Sequence, residues 1–114
     1  MEEGSTRLLK IDRELQRNLA EIIRRKGMAA FDGALLTVSE VRVSPDLSFA
    51  KVFVSIFPSA KQTKVMEMLK DQTRAIRGEL GREMGHQLRI IPEILFCLDT
   101  TLDYVAHLDE LLKK

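Results

Sequence analysis

The stretch Thr37–Ile56, TVSEVRVSPDLSFAKVFVSI, leaves few choices for its own folding. Ala50, Val52, Val54 and Ile56 are apolar at every second position, with Lys51 and Ser55 between them. Successive side chains of an extended strand point to opposite sides, so the even positions must be buried on one face. Ser44-Pro45-Asp46 is a turn signal: proline presets φ, and serine and aspartate side chains bond nearby backbone. Leu35–Val43 and Phe49–Phe57 therefore read as antiparallel strands joined by a short turn. In the first strand the apolar positions change phase between Val38 and Val41, which predicts a bulge or burial on both faces.

The remaining elements emerge from periodicity. Leu8, Ile11, Leu15, Leu19 and Ile22 form one stripe at spacings of three and four, predicting a helix over Thr6–Arg25. Gly27 is a suitable stop, since glycine readily takes the left-handed conformation that ends helices. The loop Lys26–Ala34 is unusually apolar, with Met28 and Phe31. Ala60–Leu69 reads as a helix, and Thr73–Met84 as another after a short interruption. Leu88–Leu98 is apolar at both parities, as a central strand requires. Pro92 lacks a donor, so it belongs at a bulge or an unpaired position. Thr100 or Thr101 can cap a final helix over Leu102–Leu112. A strand that returns after two helices suits a right-handed crossover. The expected fold is α+β: a three-stranded mixed sheet with helices on one face, plus a short C-terminal helix.

Composition narrows the function. A chain of 114 residues suggests one domain, here residues 6–114, with Met1–Ser5 as a frayed lead-in. A domain this size buries about 65% of its unfolded surface and needs no disulfide or metal. Cys97, the one cysteine, sits in an apolar run and reads as a small core residue in a reducing, cytoplasmic compartment. The first ten residues lack the apolar region of a secretory signal, and no apolar run is long enough to cross a bilayer. His86 and His107 have no second ligand at metal spacing. No nucleophile stands at a recognisable distance from a base, and there is no phosphate loop. No enzymatic activity, catalytic residue, metal, cofactor, small-molecule substrate or membrane association is expected, and a monomer is the default. The net charge is only +1, yet Thr6–Lys26 carries +4 and Lys61–Arg89 carries +3, leaving −6 elsewhere. Basic faces therefore matter more than the total.

The order αββααβ is that of a type II KH domain, an RNA-binding fold. Two blocks go further: Thr37–Ile56 and Ile76–Asp99, IRGELGREMGHQLRIIPEILFCLD, resemble ribosome-binding factor A. Ser44–Val52 matches a Ser-x-Asp-Leu-x-x-Ala-Lys-Val pattern. Ile76-Arg77 matches an Ile-Arg pair in the late helix. Leu88–Phe96 matches Leu-Arg-x-x-Pro-Glu-Leu-x-Phe, with Ile94 for the leucine. Asp99 and Leu111-Leu112 also fit. The resemblance implies a non-enzymatic bacterial factor of ribosome biogenesis. Its expected partners are the immature 30S subunit and 16S rRNA, and its expected role is late maturation and rRNA processing, notably in the cold. The chain departs from the family in three places. Gln72-Thr73-Arg74 stands where an Ala-x-Gly kink separates two helices, so Thr73 is the alternative cap for the second. About two extra residues surround Gly85-His86-Gln87. Met28–Asp32 replaces an Asp-Pro-Arg-Leu loop. The chain also stops at Lys114, without the polar tail some members carry.

The candidate RNA contacts form three groups. Lys10, Arg13, Arg17 and Arg24 lie opposite the first apolar stripe, with Glu14 and Glu21 beside them. A charged stripe is also what any solvated helix face shows. The resemblance favours phosphate contacts at Lys10, Arg17 and Arg25. Arg74, Arg77 and Arg82 form a second group near Gly78, Gly81 and Gly85, which suggest close backbone approach to a helix or to RNA. Amides at the expected helix start within Asp71–Arg77 would add to these arginines. Gly78-Glu79-Leu80-Gly81 is not a KH loop, because it falls inside a helix. Lys51 is third; Phe49 and Phe53 share its face and either stack on bases or pack under the final helix. The alternative function is a KH-like module that mainly binds protein.

Overall fold

The computed structural model describes residues 2–88 and 90–99; the helix expected over Leu102–Leu112 and its threonine cap lie outside them. The order is α1 (Glu2–Lys26), β1 (Leu35–Val43), β2 (Phe49–Phe57), α2 (Gln62–Met84) and β3 (Glu93–Leu98), with short 3₁₀ turns at Met28–Phe31 and Ser59–Lys61. The sheet runs β1-β2-β3, antiparallel between the first two and parallel between the last two. Ala50, Val52, Val54 and Ile56 are buried as the alternation requires. Leu15, Leu19 and Ile22 of α1 and Val65, Leu69, Ile76 and Leu80 of α2 are fully buried in the same core cluster. Both helices thus cover one face of the sheet, and no polar residue is buried among the described residues.

The bulge lies where the phase shift put it. Register shifts between Val38 and Glu40. Exposure of Thr37, Ser39, Glu40 and Arg42 shows that only one face of β1 is buried. The Gln16 amide donates to the carbonyls of Val38 (3.4 Å) and Ser39 (3.2 Å), which the bulge takes off the ladder. Asp12 Oδ1 accepts the Val43 N–H at 2.8 Å, so α1 is pinned at both ends of the bulged half-strand.

Four expectations change. α1 begins at Glu2 and not at Thr6; an apolar stripe marks only the part of a helix that packs and is blind to a polar extension. α2 is one uninterrupted helix across the expected break. Without a glycine, nothing there favours leaving the helix, and the Thr73 hydroxyl donates back to the Leu69 carbonyl (2.8 Å) instead of capping a new start. β3 is an edge strand beginning at Glu93, not a central strand beginning at Leu88. Pro92 stands buried just before it, unpaired as expected, and the carbonyls of Ile91 and Pro92 are taken by Arg77 and not by a neighbouring strand. Cys97 is not in the core; it is half-buried on the outer face, across from Phe53.

Both turns can be tested by substitution. Gly27 ends α1 at φ 80°, and a Cβ there would meet nothing within 4 Å. With ψ at 167°, Gly27 sits in an extended positive-φ region open to little but glycine, so Gly27→Ala should lower stability by about 1–3 kcal/mol through backbone strain alone, read from urea unfolding midpoints. In the hairpin turn, Asp46 Oδ1 accepts from the Ser44 hydroxyl (2.7 Å), the Ser48 hydroxyl (2.8 Å) and the Ser48 N–H (3.1 Å). These bonds, that from Ser44 first, hold its carboxyl below the ordinary 3.8. A lowered folded value means a contribution complete above the unfolded value and lost as pH falls through the folded one. Wild type should lose a small increment of stability below about pH 4 that Asp46→Asn lacks, measured by thermal melts across pH.

Candidate nucleic-acid interface

α2 and the start of β3 enclose an open cleft of about 800 Å³. Lys70, Arg74 and Gly78 recur every four residues, so they climb one ridge of α2 along it in steps of about 6 Å. Arg82 continues the ridge beyond the cleft. Lys70, Arg74 and Arg82 are exposed and make no ion pair among the described residues. Ile91 and Ile94 supply apolar lining, and Glu93 places one negative charge at the cleft. Gly78 is exposed, and a Cβ there would meet nothing within 4 Å. Its missing side chain serves no internal packing, and it leaves helix backbone open beside two free cations.

Arg77 lines the same cleft but has other work. Its Nε donates to the Pro92 carbonyl at 3.1 Å and its Nη2 to the Ile91 carbonyl at 2.6 Å. It fixes the wall of the cleft to α2. The amides expected at a helix start in Asp71–Arg77 are not free, because an unbroken helix commits them to its own carbonyls. Anion binding there rests on side chains. Gly81 faces Ile91, 3.6 Å from a built Cβ, and is a packing position. Lys70 escaped the sequence reading; its four-residue spacing from Arg74 and Gly78 was the available signal.

The α1 face is divided. Arg24 donates to Glu21 at 3.0 and 2.5 Å, which holds the Glu21 carboxyl below its usual range. Arg17 stands 3.7 Å from Glu14, and Arg25 is ion-paired across the helix interface with Glu83 of α2. Lys10 and Arg13 remain exposed without an ion pair among the described residues. All these cations lie on the helical side of the sheet. Lys51 lies on the opposite face, between Arg42 and Leu95, and the fold does not bring it to the others. Among the described residues no group of three His, Cys, Asp or Glu side chains can hold a metal ion, and no helix is long and apolar enough to cross a membrane.

Comparison with known proteins agrees with this architecture. A family model described as ribosome-binding factor A matches residues 7–112. The chain is 36% identical over 110 residues to ribosome-binding factor A of Cytophaga hutchinsonii, covering 96% of this chain and 83% of that one. It is 38% identical over 112 residues to the Christiangramia forsetii factor, covering 97% and 86%. The crystal structure of the Thermus thermophilus factor superposes with a TM-score of 0.69 at 27% identity, over 80% of this chain and 94% of that one. A homology model of the same Thermus factor, fitted into the cryo-EM map of its 30S complex, superposes at 0.61 with 29% identity, over 76% and 89%. With matched motifs, sheet order and near-complete coverage in agreement, the chain belongs to the ribosome-binding factor A family.

Proposed function

We propose that this protein is a non-enzymatic, KH-like assembly factor of the bacterial cytoplasm. It binds the immature small ribosomal subunit as a monomer, through 16S rRNA, and assists late maturation and rRNA processing, including in the cold. The observation that carries the RNA part is the ridge of unpaired cations, Lys70 and Arg74, beside the open backbone at Gly78. Such contacts grip phosphates and position the protein without reading bases. Lys10 and Arg13 on α1 extend the basic surface on the same side of the sheet. Arg82, Arg17 and Arg24 add long-range attraction, Arg25 ties the helices together, and Arg77 positions the cleft wall.

Binding through about four phosphates gives a log–log salt slope near −3. Titrating purified protein against immature small subunits over a salt series should show that slope, and nuclease should abolish the complex. Arg13→Glu with Arg17→Glu should weaken binding several-fold without lowering stability; unchanged co-sedimentation at low and moderate salt would exclude the α1 face from the binding surface. One feature favours a second reading, as a protein-binding module. Met28, Leu35 and Phe57 are exposed together at the open end of the hairpin, Phe57 by 71%. That reading predicts salt-tolerant, nuclease-resistant binding. Phe31, the other apolar residue of the loop, is core.

A further inference from the structure

A groove separate from the α2 cleft lies between α1, the hairpin turn and the turn that ends α2. It encloses about 770 Å³, within the range of sites that seat small molecules. Ile11, Leu47, Met84 and Leu88 give it an apolar lining, and Lys10, Glu14 and Gln87 add polar groups. The Gln87 and Leu88 N–H groups both donate to the Met84 carbonyl, at 2.9 and 3.0 Å, which tightens the turn after α2. Leu47 holds φ at 61°, a left-handed conformation uncommon for residues with a side chain and easier for glycine or asparagine. Against that preference the hairpin keeps a half-buried leucine on the groove.

The three polar groups are free to act on a ligand. Lys10 and Glu14 stand four residues apart on α1, a spacing at which opposite charges on a helix pair, yet no ion pair joins them. Glu14 lies 3.7 Å from Arg17, too far for a hydrogen bond, and its carboxylate accepts none among the described residues. Gln87 is exposed, and its side-chain amide makes no hydrogen bond there either. Apolar walls alone would accept any apolar group. A free cation and a free carboxylate about 6 Å apart along the helix ask for a ligand that joins a negative charge to a row of donors. A nucleotide is such a ligand: its phosphate suits Lys10, and its base suits the apolar lining. Guanine is the base that presents two adjacent donors, N1–H and the 2-amino group, to a carboxylate, with the acceptor O6 beside them for the Gln87 amide.

We propose that this groove seats one unstacked guanine of the bound RNA, with its phosphate on Lys10, its donor edge on the Glu14 carboxylate and its O6 on the Gln87 amide. This rests on the RNA reading above and adds base recognition to it. The cations of α2 grip phosphates alone, whereas the α1 groove selects what sits in it.

A labelled pentauridylate and the same strand with one central guanine, titrated against full-length protein by fluorescence anisotropy, test this. The guanine strand should bind about tenfold tighter, the discrimination a bidentate contact gives. Inosine at the same position lacks the 2-amino group and should fall between the two. Glu14→Gln should shrink the ratio of the two affinities several-fold; the ratio is the readout, because removing a negative charge strengthens both alike. Lys10→Ala should weaken both strands, keep the ratio and make the salt slope shallower by about 0.7. Equal affinity for the two strands, discrimination that survives Glu14→Gln, or binding of neither strand overturns the groove assignment. Co-sedimentation with small subunits, run beside it, reports on the RNA reading separately: a protein that sediments with the subunits through RNA and ignores guanine keeps that reading and loses the groove.

Discussion

Lys70→Glu combined with Arg74→Glu is expected to weaken small-subunit binding about 100-fold at low salt while leaving the fold intact. Both side chains are exposed and neither makes an ion pair among the described residues. Each charge-assisted contact contributes about 1.5–3 kcal/mol, so losing two removes at least about 3 kcal/mol. The salt slope should also become shallower by about two. Quantitative co-sedimentation over a salt series gives both numbers, and the melting temperature of the variant reports any unfolding. Arg77→Ala is the contrasting case. Its guanidinium holds the approach to β3, so that variant should lose stability as well as binding.

Ile76→Ala should cost about 2–5 kcal/mol of stability, and Ile76→Asp should prevent folding. Ile76 has no solvent exposure and lies seven residues beyond Leu69, two turns along the same stripe. It joins the same core as Val65 and Leu69 along a helix that runs unbroken from Gln62 to Met84. Its neighbour Ala75 is exposed, and Ala75→Asp should shift stability by no more than about 0.5 kcal/mol. Urea unfolding of the two aspartate variants separates the positions. The contrast follows from the stripe Ile76, Leu80 and Met84, buried at four-residue spacing along the later half of α2.

Much of this architecture was legible in the sequence because it rests on periodicity. The alternation from Ala50 to Ile56 and the phase shift at Val38–Val41 are direct images of burial, and the hairpin and its bulge result from them. Chemistry that depends on who meets whom was less legible. Apolar residues at both parities of Leu95–Leu98 mean either a central strand or an edge strand with an apolar outer face, and no local pattern separates the two. The break expected between Leu69 and Thr73 was read from the lapse of large apolar residues there, a lapse that Gln72-Thr73-Arg74 span as helix. Among the cations, charge and exposure were readable in advance, but partners were not. Arg25 and Arg77 look as free as Arg74 on a helical wheel. Their partners, Glu83 and the carbonyls of Ile91 and Pro92, are distant in sequence.

Attachment to the small subunit through RNA can be decided by sedimenting cell extract through a sucrose gradient, with and without ribonuclease, and tracking this protein across the fractions. It should travel with free small subunits, be absent from mature ribosomes, and return to the top of the gradient after nuclease. Protein that stays at the top from the start, or that remains in a large complex after nuclease, would contradict attachment through RNA.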